Sequence, residues 1–173
     1  MKKLISKEEP IVELVRFGFP EVFIENIGNI TELSGRVENV DGAYFYLPKI
    51  SNYQILNNQS ITPIFDSGES FYVLATNDNS ARILHFELEN DEIYTDYGKN
   101  WKLLLMDIMS TYFDDKIDDY ITVAQFVDVG SKIGFKEAEG LFKLKNLALE
   151  DYNARYDDHE KWRIALATEL GIL

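Results

Sequence analysis

The chain contains no cysteine, which excludes disulfides, thiolate nucleophiles and the zinc and iron-sulfur sites that are built on sulfur. Histidine is scarce too. His85 and His159 stand on unlike elements and share no ligand spacing. A catalytic histidine needs a nucleophile and an orienting carboxylate beside it, and nothing in the sequence assigns these to either ring. Positive charge is also short: 17 Lys and Arg face 30 Asp and Glu, a formal net charge of -13. Such a balance opposes binding to nucleic acid or to an anionic membrane through a general basic surface, and fits a basic protein partner or plain solubility. No hydrophobic run approaches a membrane span. The amino terminus, MKKLISKEEP, meets Glu8, Glu9 and Pro10 before any apolar stretch long enough for a signal peptide. The expected address is the cytoplasm, with no cofactor.

What is present is enough for a filled core. Hydrophobic residues make up 46% and aromatics 13% of 173 residues, so the chain buries sufficient apolar area to offset its ordering entropy. One domain with an appendage is the default at this length.

Two short helices are expected first. Residues 6–16 carry Ile11, Leu14 and Val15 on one side, opened either by Ser6 and Glu9 at capping-box spacing or by Pro10 in the first turn, with Gly18 as the stop; residues 20–27 repeat the pattern with Pro20, Phe23, Ile24, Ile27 and Gly28. From Ile30 the period changes. Asp41-Gly42 between 37–40 and 43–47, where Ala43, Phe45 and Leu47 alternate with Tyr44 and Tyr46, predicts a hairpin. The polar connector SNYQILNNQS has room for a helical turn or a short strand.

The most strongly patterned stretch runs from Ile61 to Tyr112. Residues 61–65 and 71–75 form strands around the turn Asp66-Ser67-Gly68-Glu69. After TNDNS, Leu84, Phe86 and Leu88 point one way and Ile83, His85 and Glu87 the other, and residues 92–95 add a further strand. Asn100 then caps a helix bearing Trp101, Leu104, Leu105, Ile108, Met109 and Tyr112, widened by Leu103 and Met106. That helix is the expected lid over one face of the sheet.

Strand signals end after Tyr120. Thr122 caps a helix with Val123, Phe126 and Val127; Gly130 to Gly134 interrupts; Ala138, Leu141, Phe142, Lys145 and Leu149 mark a second helix; Asp158 caps a third with Trp162, Ala165, Leu166 and Leu170. The expected fold class is α+β: an antiparallel or mixed central sheet with helices packed on it, plus a C-terminal helical extension. The expected domains are 1–117 and 118–173, the second packed on the core of the first.

Candidate chemistry is thin. Asp114, Asp115 and Asp118 make a DDxxD string of the kind that holds magnesium-diphosphate, but it follows strands in a short mixed chain, and a solvated helix end explains it better. Asp66-Ser67-Gly68-Glu69-Ser70 lacks the glycines of a nucleophile elbow and the Gly-Lys ending of a phosphate-binding loop. Phe71, Tyr72, Phe86, Tyr94 and Tyr97 have no Lys or Arg among them to hold phosphates, so they read as core and a tyrosine-bearing face. One charge feature stands apart: between Lys49 and Lys99 the only Lys or Arg is Arg82, against Asp66, Glu69, Asp78, Glu87, Glu89, Asp91, Glu92 and Asp96. The structural explanation is an edge that resists aggregation; the functional one is a docking face for a basic protein.

The order of these elements resembles the SUKH superfamily, which unites regulators of fungal cell-wall synthesis with bacterial immunity proteins of polymorphic toxin systems. GFPEVFIENIG is similar to the family's opening helix, with Pro20, Phe23 and Gly28 in matching roles. ITPIFDSGESFYVLAT is similar to its central hairpin, and Asn100-Trp101 to the start of its last core helix. The resemblance implies a sheet with helices against it and a role in partner binding rather than catalysis. The expected function is therefore an immunity protein that covers the surface of a cognate toxin, with a nuclease as one candidate, through Glu87, Glu89, Asp91, Glu92, Tyr94, Asp96 and Tyr97. A regulatory scaffold of the same fold and a metal-dependent enzyme using Asp114, Asp115 and Asp118 are the alternatives.

Overall fold

The computed structural model describes residues 3–147 and 149–173, apart from the side chains of Leu149 and Tyr156. The chain divides into two compact units, Met1–Trp101 and Lys102–Leu173; the sequence pattern had placed the change of character near Asp118.

The first unit is α+β. Its sheet has the order β1-β2-β3-β4-β5, from β1 (Lys3–Leu4), β2 (Ser60–Ser67), β3 (Ser70–Thr76), β4 (Ala81–Glu87) and β5 (Thr95–Gly98). β1 runs parallel to β2 and every other pair is antiparallel, so the sheet is mixed. The turn at Ser67-Ser70 sets the β2–β3 register, and a bulge falls between Pro63 and Phe65, where proline supplies no N–H to the ladder. The predicted alternation holds. Phe71, Val73, Ala75, Leu84 and Phe86 face one way with Ile61, onto Ala43, Leu47, Ile50 and Leu56.

The opposite face is covered as well. Ile64, Leu74 and Ile83 are at most 1% exposed, and Phe23 meets Phe65 edge to face with ring centroids 6.1 Å apart. Phe23 comes from α2 (Glu21–Asn26), preceded by α1 (Pro10–Phe17). Of the two openings the sequence allows, α1 takes the one with proline in its first turn, and as expected it ends on Gly18 at φ 109°, a left-handed backbone that favours glycine.

One element departs from expectation. Residues 41–46 form helix α3 (Asp41–Tyr46) and not the second strand of a hairpin. Two side chains supply its entry. Asn39 Oδ1 accepts the Asp41 N–H at 3.0 Å, and Asp66 Oδ2 accepts the Ala43 N–H at 2.9 Å. Ala43 and Leu47, the buried pair, are four apart, a spacing that both a strand and a helix place on one side. Phe45 separates the two readings: a strand would bury it with them, whereas here it is 59% exposed. The polar connector contains a 3-10 turn, Gln54–Leu56. β5 lies three residues later than predicted.

From Lys102 on, the second unit is helical: α4 (Trp101–Asp115), whose first residue closes the first unit, α5 (Val123–Lys132), α6 (Ala138–Lys145), α7 (Leu149–Tyr156) and α8 (His159–Glu169). The helix expected to run on to Leu149 ends at Lys145, and Leu149 begins the separate α7. α4 is buried around much of its circumference, through Leu103, Leu104, Leu105, Met106, Ile108, Met109, Tyr112 and Phe113. α5 opens on a capping box between Thr122 and Gln125, which satisfies two otherwise unpaired N–H groups. Phe113, Phe126 and Phe142 form a triangle with centroids 5.5 to 5.9 Å apart. α8 buries Trp162, Leu166 and Ala167; Ala165, expected on that side, is exposed.

Candidate functional site

The acidic stretch follows β4. Glu87 closes that strand, residues 88–94 loop out, and β5 brings the chain back. Tyr53 Oη donates to the Leu88 carbonyl at 2.8 Å. Asp91 accepts from the N–H groups of Gln54 and Ile55 at 2.8 and 3.1 Å, using both carboxylate oxygens. The loop is thereby tied to the 3-10 turn. Asp91 is a loop anchor before it is anything else.

Asp96 is likewise engaged: Oδ2 takes Arg82 Nη1 at 2.8 Å and Oδ1 takes the Gly98 N–H at 2.9 Å. Tyr97 is buried, 6% exposed, and offers no contact area. Three acids remain. Glu89 and Glu92 are exposed and Glu87 is half-buried, and among the described residues none of the three is in an ion pair. Tyr94 stands beside them, 48% exposed, its hydroxyl accepting from Asn90 Nδ2 at 2.5 Å. The structure thus keeps Glu87, Glu89, Glu92 and Tyr94 as presentable groups, and places Asp91, Asp96 and Tyr97 in structural roles.

Tyr94 heads a row of rings crossing the sheet. Its centroid lies 5.8 Å from His85, His85 stacks on Tyr72 at 4.3 Å and 2°, and Tyr72 stacks on Phe65 at 4.2 Å. Burial holds the His85 imidazole below its usual range, with Glu87 opposing. Its Nε2 is buried without a hydrogen-bond partner. A neutral ring stacked this way serves packing. His159 belongs to the other unit, as the first residue of α8. Phe71 and Phe86, both fully buried, cannot stack on a nucleobase.

The DDxxD string is divided. Asp114 accepts the Lys145 ammonium at 2.9 Å and the Tyr152 hydroxyl, while Asp118 and Asp119 lie in a 3-10 turn, Ile117–Asp119. Asp119 pairs with Lys116 at 2.8 Å. Among the described residues no group of three His, Cys, Asp or Glu is placed to hold a metal ion.

A second feature had no counterpart in the sequence pattern. A cavity of about 480 Å³ opens among residues 28–31, Ser34, residues 37–39, Gly42, Asp66 and Gly68. Asp66 is 3% exposed. Its main chain bridges to Glu38, with Glu38 N–H to Asp66 O at 2.8 Å. Burial pushes its carboxyl up to about 6; the N–H groups of Ala43 and Gly42 oppose that, and Glu38 and Asp41 add to it. Its Oδ1 is buried and unpartnered. In sequence Asp66 looked like the first residue of a turn, and only tertiary structure reveals it as a buried acid.

No family model, no curated protein and no solved structure matches the chain.

Proposed function

We propose that this chain is a non-catalytic protein-binding module whose acidic face, Glu87, Glu89 and Glu92 beside Tyr94, docks a basic partner. The observation that carries the reading is the lack of compensation: Arg82, the only Lys or Arg between Lys49 and Lys99, is spent on Asp96. Uncompensated carboxylates at a loop held by two backbone hydrogen bonds form a fixed field, which speeds encounter with a basic surface and sets its register. The half-exposed Tyr94 adds contact area with little rotamer entropy to lose.

The finer reading is an immunity protein, acting in the cytoplasm, that neutralises a cognate toxin domain by covering its active or substrate-binding surface. Its support is the α+β sheet with helices and the SUKH-like order of elements. A nuclease suits this surface, since a protein that binds phosphates presents the basic patch such a face would cover. A regulatory scaffold would use the same surface without a toxin. The enzyme reading has less support, because Asp114 already accepts from Lys145 and Tyr152.

The test is toxicity rescue and direct binding with a toxin-type protein encoded beside this chain. Replacing Glu89 and Glu92 by lysine should abolish protection while the fold persists. Undiminished protection by that variant would remove the assignment.

A further inference from the structure

The cavity of the first unit is separate from the acidic face and has its own chemistry. Its wall is polar, with Asn29, Thr31, Ser34 and Asn39, and carries two carboxylates, Glu38 at the exposed side and Asp66 within. Among the described residues no Lys, Arg or His lines it, and no aromatic ring does. An anion would meet two acids and no compensating charge, and a sugar would find no ring to stack on.

Asp66 decides the ligand class. It is 97% buried by its 3% exposure; one oxygen accepts from Ala43 and the other has no donor. A buried carboxylate oxygen without a donor is costly, and an N–H cation relieves that cost twice, by charge and by hydrogen bond. A hard divalent ion asks for six or more oxygens converging on one point, and among the described residues no group of three His, Cys, Asp or Glu is placed to hold one. Because Oδ1 is covered, a ligand reaches it by turning the carboxylate or parting the wall. Gly42 lets Oδ2 pack closely on the main chain of α3, since a Cβ there would sit 2.9 Å from that oxygen.

We propose that this cavity binds a guanidinium or primary ammonium group, held by Asp66 within and Glu38 at the mouth, with the amide and hydroxyl oxygens of the wall taking the remaining N–H donors. A cavity of this size suits a small ligand. The group arrives on a free small molecule or on an Arg or Lys side chain of a bound protein, and both present the same donors. The inference does not rest on the docking face.

The experiment is an NMR titration of the full chain followed at the amides of Gly42 and Ala43, with agmatine as the free cation and an N-acetyl Gly-Arg-Gly amide as the chain-borne one. Saturable shifts at both amides are expected, with affinity falling about tenfold between pH 7 and pH 5 as Asp66 takes up its proton. Binding of agmatine alone assigns a free ligand, and binding of both probes admits a partner's side chain. Asp66→Asn should abolish the shifts, and Ser34→Arg, which plants a competing guanidinium in the wall, should weaken them. Where Asp66→Asn fails to fold, Ser34→Arg decides. Absence of saturation with both probes, or unchanged affinity in these variants, overturns the proposal. Glu89→Lys with Glu92→Lys should leave the titration unaltered, so this site and the docking face fail independently.

Discussion

The Asp66 carboxylate accepts the Ala43 N–H at 2.9 Å and so joins the first turn of α3 to the end of β2, across 23 residues of chain. That one bond helps turn a stretch patterned like a strand into a helix. It also leaves an acid buried beside two other acids, Glu38 and Asp41.

A pH dependence of stability follows. The Asp66 carboxyl titrates at about 6 in the folded state, above its ordinary 3.8, so the native state binds that proton more tightly than the unfolded chain. Its contribution favours folding at low pH and is lost as pH rises through about 6. A shift of this size corresponds to roughly 2–3 kcal/mol. Urea unfolding at pH 5 and pH 7 should show wild type losing stability relative to Asp66→Asn as pH rises, since asparagine keeps an acceptor for Ala43 and has no charge to bury. Parallel curves would contradict this.

His85 behaves in the opposite sense. Burial lowers its titration, so the neutral ring is native and stability is lost as pH falls below about 6.5. The imidazole carbon resonances should titrate with a midpoint below that value. His85→Phe keeps a ring on Tyr72, removes the unpartnered Nε2, and should leave partner binding within about twofold of wild type.

Asp114 is predicted to be structural. Lys145 is 3% exposed, its ammonium 2.9 Å from Asp114 and 4.9 Å from the Trp162 ring centroid. Removing the carboxylate leaves a buried cation, at a cost of about 3 kcal/mol or more. Asp118→Ala, at an exposed turn, should fall within about 0.5 kcal/mol of wild type. Chemical denaturation separates the two variants, and calorimetry with magnesium should show no heat that depends on Asp118.

Gly130 is a contact glycine. A Cβ there would lie 2.5 Å from the Ala138 Cβ and 3.2 Å from the Phe135 carbonyl oxygen, so α5 and α6 approach closely at this point. Gly130→Ala should destabilise the helical unit by about 1–3 kcal/mol through overpacking, against the usual gain from alanine in a helix. A raised melting temperature in this variant would contradict the packing described.

The hairpins from β2 to β4 were legible because two local signals agree there: the turn chemistry of DSGE and TNDNS, and strict alternation through Phe71, Val73 and Ala75. The helices were legible by their period and by caps such as Thr122. α3 was misread because Ala43 and Leu47 satisfy both periods, and Asp41-Gly42 is a turn signal that tertiary hydrogen bonds from Asn39 and Asp66 redirect. Gly130 was read as a break because a glycine's close helix contact leaves no mark on its neighbours in sequence. Of the candidate acidic face, the charge pattern singled out Glu87, Glu89 and Glu92 along with Asp91 and Asp96. That Asp91, Asp96 and Tyr97 are occupied in holding the loop and core depends on residues 14 to 37 positions away or on burial, neither of which composition reveals.

The central claim is that the acidic face docks a basic protein, and binding calorimetry against a toxin-type protein encoded beside this chain, at low and high salt, tests it most directly. The expected result is a one-to-one complex that weakens as salt rises and loses about tenfold or more in affinity when Glu89 and Glu92 become lysine. A complex indifferent to both salt and charge reversal, or no complex at all, would contradict it.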